Sequence, residues 1–128
     1  MIYSVDLEIP ANTPDSNPEK TTLIVTWGVV TQVWVRWSWG PGNLCGVRVK
    51  RQESQVWPLT LGEWFNSKSR ETMWNDYYNV GDQPLYFDVE GYNLDDTFSH
   101  TVSVVVNVQR PTISDNVKAF FDYLLKGA

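Results

Sequence analysis

Apolar and polar residues alternate with a period of two along most of this chain, the signature of half-buried β-strands. Tyr3, Val5, Leu7 and Ile9 alternate with Ser4, Asp6 and Glu8, which predicts a first strand. TTLIVTW predicts a second, closed by Gly28, with Trp27 in phase with Leu23 and Val25 and so expected in the core. VVTQVWVRW predicts a third, with Val29, Thr31, Val33, Val35 and Trp37 on one face and Val30, Gln32, Trp34 and Arg36 on the other. LCGVRVKR follows as a fourth after the turn GPGN, where Gly40 and Gly42 permit positive φ and Pro41 presets a corner. QVWPL is short and stopped by proline, LGEWFNSKS reads as a loop or one helical turn, and RETMWNDYY, PLYFDVEGY and TFSHTVSVVVNVQ complete the strands. In the last, His100, Val102, Val104, Val106 and Val108 share one side, so a buried, hydrogen-bonded imidazole is expected.

Two stretches break the pattern. PANTPDSNPEK, over 10–20, holds three prolines among small polar residues and reads as a loop or extended arm. After Pro111 the period changes to that of a helix: Ser114 can cap a run to about Lys126, with Ile113, Val117, Phe120, Phe121, Leu124 and Leu125 on one face. So short a helix is marginal alone, so its stripe must pack on its own sandwich or on a neighbouring subunit. The fold expected is therefore all-β: an antiparallel β-sandwich or jelly roll of about eight strands over residues 1–110, with one C-terminal amphipathic α-helix over 111–128.

Composition narrows the function. A chain of 128 residues is about one domain, large enough to fold without a staple. Its net charge of −5 opposes a nucleic-acid partner, and Arg48, Lys50 and Arg51 read as the solvent face of one strand. The N-terminus carries Asp6 and Glu8 where a signal peptide needs an apolar run, and no stretch is long and apolar enough to insert in a membrane. A virion, or the cytoplasm if the chain is not viral, is the expected location. One His and one Cys supply neither a nucleophile–base pair nor a zinc set, so no catalytic residue, no metal site and no cofactor is assigned. Fifteen acids would furnish some carboxylate pair in any fold, and Asn93–Thr97 reads as Asx turn chemistry rather than a calcium loop.

The seven tryptophans are the unusual feature. Trp37 is in phase with the core, whereas Trp34 sits with Arg36 on the face that alternation gives to solvent, and Trp39 lies at the turn. An outward indole beside an arginine fits an interface, where such residues are favoured anchors, or a surface cation–π pair. The candidate interface is Trp34, Arg36 and Trp39 together with the helix residues Val117, Phe120, Phe121, Leu124 and Leu125. VVTQVWVRW running into GPGNLCGVRV, then VWP, then GYNLDDTFSHTVSVVV, resembles in layout the small β-sandwich virion proteins of bacterial and archaeal viruses, capsid jelly rolls and capsid decoration proteins, over roughly residues 20–109. The resemblance implies a non-enzymatic building block that forms homo-oligomers or joins other virion proteins. The alternative is a carbohydrate-binding module stacking a glycan on exposed tryptophans.

Overall fold

A computed structural model describes residues 1–81, 83–110 and 124–125. The described residues contain nine strands: β1 (Ile2–Ile9), β2 (Glu19–Ile24), β3 (Gly28–Trp37), β4 (Cys45–Arg51), β5 (Ser54–Trp57), β6 (Phe65–Asn66), β7 (Glu71–Val80), β8 (Tyr86–Asn93) and β9 (His100–Gln109). They form two antiparallel sheets, one in the order β1-β9-β3-β7, the other β2-β8-β4-β5 with β6 also on β4. The pairs nest: β1 with β9, β2 with β8, β3 with β7, β4 with β5. A single long hairpin folded over on itself, its successive rungs assigned alternately to the two sheets, has that pattern.

The inward residues of both sheets join one core. Val33, Val35, Val102 and Val104 come from the first sheet, Leu23, Val47, Val49 and Val89 from the second, and all are buried. Each such side chain contributes roughly 1.5–3 kcal/mol on burial. Aromatic rings close one side: Trp57 of β5 meets Trp74 and Tyr78 of β7 edge-on and Phe87 of β8 at 5.2 Å. Its indole N–H donates to Asp76 Oδ2 at 2.6 Å, so the ring fills the core without orphaning its donor. Elsewhere the sheets touch closely: a Cβ on Gly91 of β8 would strike the Ile9 side chain of β1.

Several expectations change. β2 ends at Ile24, so Trp27 lies beyond the strand, 45% exposed, with the Arg110 guanidinium 4.8 Å from its ring. Alternation has no meaning once the ladder stops. On β3, Val30 is buried and Thr31 is not, because register shifts between Val30 and Gln32 against both β7 and β9. Thr31 is the extra residue of a bulge, which keeps Val30 opposite Val108 and Val33 opposite Val106. The 10–20 segment is no free arm: Glu19 and Lys20 belong to β2, Thr13 bridges Asn93, and Asn12 N–H donates to Asp95 O at 2.9 Å. The basic cluster is not a free solvent face either. Arg48 and Lys50 reach the buried Glu90 at 3.3 and 3.4 Å, and Arg48 stacks on Trp64 at 4.1 Å. LGEWFNSKS contains β6 and no helical turn. The helix expected over 114–126 lies outside the described residues apart from Leu124 and Leu125, both exposed.

Candidate functional site

Strand register lays the outward residues of the first sheet in rows. Ser4, Val105, Trp34 and Met73 stand opposite one another across β1, β9, β3 and β7. On one side lies a row of Ile2, Asn107, Gln32 and Asn75, on the other Asp6, Ser103, Arg36 and Glu71. The face thus has an apolar centre with an amide row and a charged row as its margins. Trp34 is half-buried between two shallow hollows of about 200 and 250 Å³, the larger lined by Ile2, Gln32, Trp34, Met73, Val105 and Asn107. Its N–H is shut off from solvent and has no hydrogen-bond partner among the described residues. What the ring shows outward is therefore hydrocarbon. Ile2 and Met73 add 72% and 60% exposed side chains to the same patch.

Arg36 does not stack on Trp34. Among the described residues, the guanidiniums that lie over rings are those of Arg48, Arg51, Arg70 and Arg110. Trp39 is 79% exposed at the turn after β3, with the Arg70 guanidinium 3.6 Å from its ring centroid. The turn and the segment before β7 enclose a hollow of about 360 Å³. The exposed indoles Trp27 and Trp39 stand at opposite ends of β3, roughly 30–40 Å apart at about 3.3 Å per residue. They form no joint stacking platform. Of the other predicted interface residues, Val117, Phe120 and Phe121 lie outside the described residues.

The polar interior lies beneath this turn. His100 is buried as expected, and its Nε2 donates to Asp95 Oδ2 at 2.8 Å. Asp95 Oδ1 accepts the Thr97 and Phe98 N–H groups, and Asp95 N–H donates to Asn93 Oδ1, all Asx-type contacts. The His100 hydrogen bond, then that from Thr97, holds the Asp95 carboxyl below its ordinary value. Burial, with the Asp95 charge adding, pushes the Cys45 thiol up to about 11 against an opposing hydrogen bond from Ser67. A thiol so placed is a poor nucleophile near neutrality. No group of three or more His, Cys, Asp or Glu is arranged to hold a metal among the described residues. No helix among them is long and apolar enough to cross a membrane.

Sequence reasoning missed Ile2, Val105 and Met73, and also Lys68 and Arg70 beside Trp39. Val105 was findable, since it stands out of phase within a run of core valines. The others become neighbours only through tertiary register. No protein-family model matches the chain, and no curated protein is significantly similar to it.

Proposed function

We propose that this chain is a non-enzymatic structural subunit of a virion, a jelly-roll sandwich that assembles with copies of itself or decorates a larger particle. The observation that supports this reading best is the nested pairing. With the two-residue β6 set aside, the strands take the order 1-8-3-6 over 2-7-4-5, that of two Greek keys rolled into a jelly roll, an architecture common among viral capsid domains. Fold alone does not give function, so the reading also rests on the Trp34 face. An apolar centre with polar margins is the anatomy of an interface core and rim.

The occupant of that face is a second copy. Its charged row runs acid, hydroxyl, base, acid: Asp6, Ser103, Arg36, Glu71. A two-fold axis lying in the interface along β9 sets Arg36 of one copy against Asp6 of the other, a self-complementary pairing suited to an isologous contact. Light scattering across a range of concentrations tests this. The expected result is a closed oligomer that Met73→Asp or Ile2→Asp reduces to monomer with the circular dichroism and melting curve unchanged. Phe121→Asp should also lower the mass without unfolding the chain. A monomer at every concentration overturns self-assembly and leaves attachment to a pre-built particle. Unfolding of Phe121→Asp would instead assign that segment to the monomer's own core.

A further inference from the structure

We propose that the hollow beside Trp39 binds an acidic sugar, a pyranose bearing a carboxylate or sulfate, with its anion on Arg70 and Lys68 and its ring against the edge of the indole. This site lies beyond the assembly reading and does not depend on it.

The first observation is charge. The Trp39 hollow, walled by residues 38–43 with Ser67, Lys68 and Arg70, adjoins a second of about 180 Å³ lined by Arg36, Ser38, Arg70 and Thr101 among others. Among the described residues no carboxylate lines either one. Among the described residues the ion pairs involve Arg48, Lys50 and His100, so Arg36, Lys68 and Arg70 pair with nothing. Asp6 and Glu71 share a row with Arg36 yet do not pair with it within 4.0 Å. Two unpaired cations, Lys68 and Arg70, on the wall of this hollow, with Arg36 in the adjoining one, form a local field that attracts an anion in a chain of net charge −5.

The second observation is the ring. Arg70 covers one face of Trp39, and the indole, 79% exposed, lines the same hollow as that guanidinium. Stacking holds the guanidinium in place while its N–H groups have no partner among the described residues, so less freedom is lost when an anion docks.

The third is rigidity. Ser67 Oγ donates to Gly42 O at 2.9 Å and Asn66 Nδ2 to Asn43 O at 3.1 Å. Leu44 N–H donates to Pro41 O, and Trp37 N–H to Arg70 O at 2.8 Å. Gly40, at φ +104°, adopts a backbone that side-chain-bearing residues rarely take, and it packs over the His100 ring. Both walls are therefore tied to strands, and the site is pre-formed. A hollow of about 360 Å³ is at the small end of ligand pockets, suited to one or two rings.

An acidic sugar answers all three features in one rigid unit, and its hydroxyls find the Asn43 side chain and the Ser38 hydroxyl. A nucleic acid fits less well, since three cations give only a weak phosphate-binding patch in an acidic chain.

The test follows the Trp39 indole N–H resonance, assigned through Trp39→Phe, during titration of the full chain. The probes are the methyl glycosides of glucuronic and N-acetylneuraminic acids, methyl glucoside, and adenosine monophosphate. A saturable shift is expected with an acidic glycoside, at about tenfold lower concentration than with methyl glucoside, equivalent to about 1.4 kcal/mol. Added salt weakens it, and Arg70→Gln removes the preference while leaving the melting temperature unchanged. The same binding should persist in Met73→Asp, which separates this site from the assembly face. Equal response to methyl glucoside, tighter binding of the nucleotide, or no shift at tens of millimolar probe would each overturn the proposal.

Discussion

Replacing Asn93 with alanine should cost this domain about 3 kcal/mol. Asn93 is fully buried at the end of β8, and its amide is bonded on every side. Nδ2 donates to Ile9 O at 3.0 Å and Phe98 O at 2.9 Å, while Oδ1 accepts Asp95 N–H at 2.9 Å and the Cys45 thiol at 3.3 Å. Three of these are ordinary N–H···O bonds worth about 0.5–1.5 kcal/mol each, net of water, which sums to about 3 kcal/mol. The weak thiol bond adds little, and an orphaned Asp95 N–H raises the upper limit to about 5 kcal/mol. For a domain of this length 1 kcal/mol moves the midpoint of melting by roughly 4 °C, so a fall of roughly 12 °C is expected. Urea unfolding followed by tryptophan fluorescence measures it directly: the midpoint should drop with the slope unchanged. Asn93→Asp preserves the volume but replaces the donor pair with a carboxylate oxygen facing two carbonyls, so it should cost at least as much at neutral pH. A loss under about 1 kcal/mol for Asn93→Ala would refute the assignment of this amide as the tie between β1, β4 and the 94–99 turn. A much milder Asn93→Asp would show that volume, not hydrogen bonding, governs the site.

Two other predictions concern the same buried polar group, and two more are the assembly and acidic-sugar tests above. Because the folded-state pKa of Asp95 lies below its unfolded value of about 3.9, its contribution is present above that pH and lost as pH falls through the folded value. Melting temperature should therefore decline below about pH 4, and less steeply in Asp95→Asn; parallel profiles would remove His100 and Thr97 as the cause. With its thiol buried and raised to about 11, Cys45 should resist iodoacetamide at mildly alkaline pH and label only as urea unfolds the chain. Labelling at the rate of a free thiol, with the fold intact, would contradict the burial.

Alternation in the sequence locates most of the core because side chains in a strand point to opposite faces in turn. It places Val33, Val35 and Trp37 inward, Trp34 outward and His100 among the valines, and the structure agrees at each. It fails at Trp27 and Val30, where what matters is where a ladder stops and where one strand carries an extra residue relative to a neighbour, as β3 does against β9. Neither property resides in the segment itself. Trp57 could not be assigned by periodicity on so short a strand; its burial follows from the rings that β7 and β8 bring to it. Lys68 and Arg70 had no local signal at all. They reach Trp39, some thirty residues away in sequence, because Trp37 N–H bonds Arg70 O and Ser67 bonds the turn at Gly42.

The bulge at Thr31 links these surfaces. Counting back from Trp37 by twos, Val35 and Val33 point inward and Val30 would point out. Without the extra residue, a register that buries Val30 against Val108 would turn Val33, Val35 and Trp37 to solvent and Trp34 into the core, since a slip of one residue exchanges the faces of a strand. The insertion satisfies both ends of β3 at once. It keeps Val30 at the Gly28 end inside while leaving Trp34 and Arg36 outward and delivering Trp39 to the turn beyond. Bulges are features that re-aim side chains rather than defects in pairing. In this chain the consequence is that one strand contributes to the core, supplies the centre of the proposed assembly face and leads into the turn that carries the ring of the proposed sugar site.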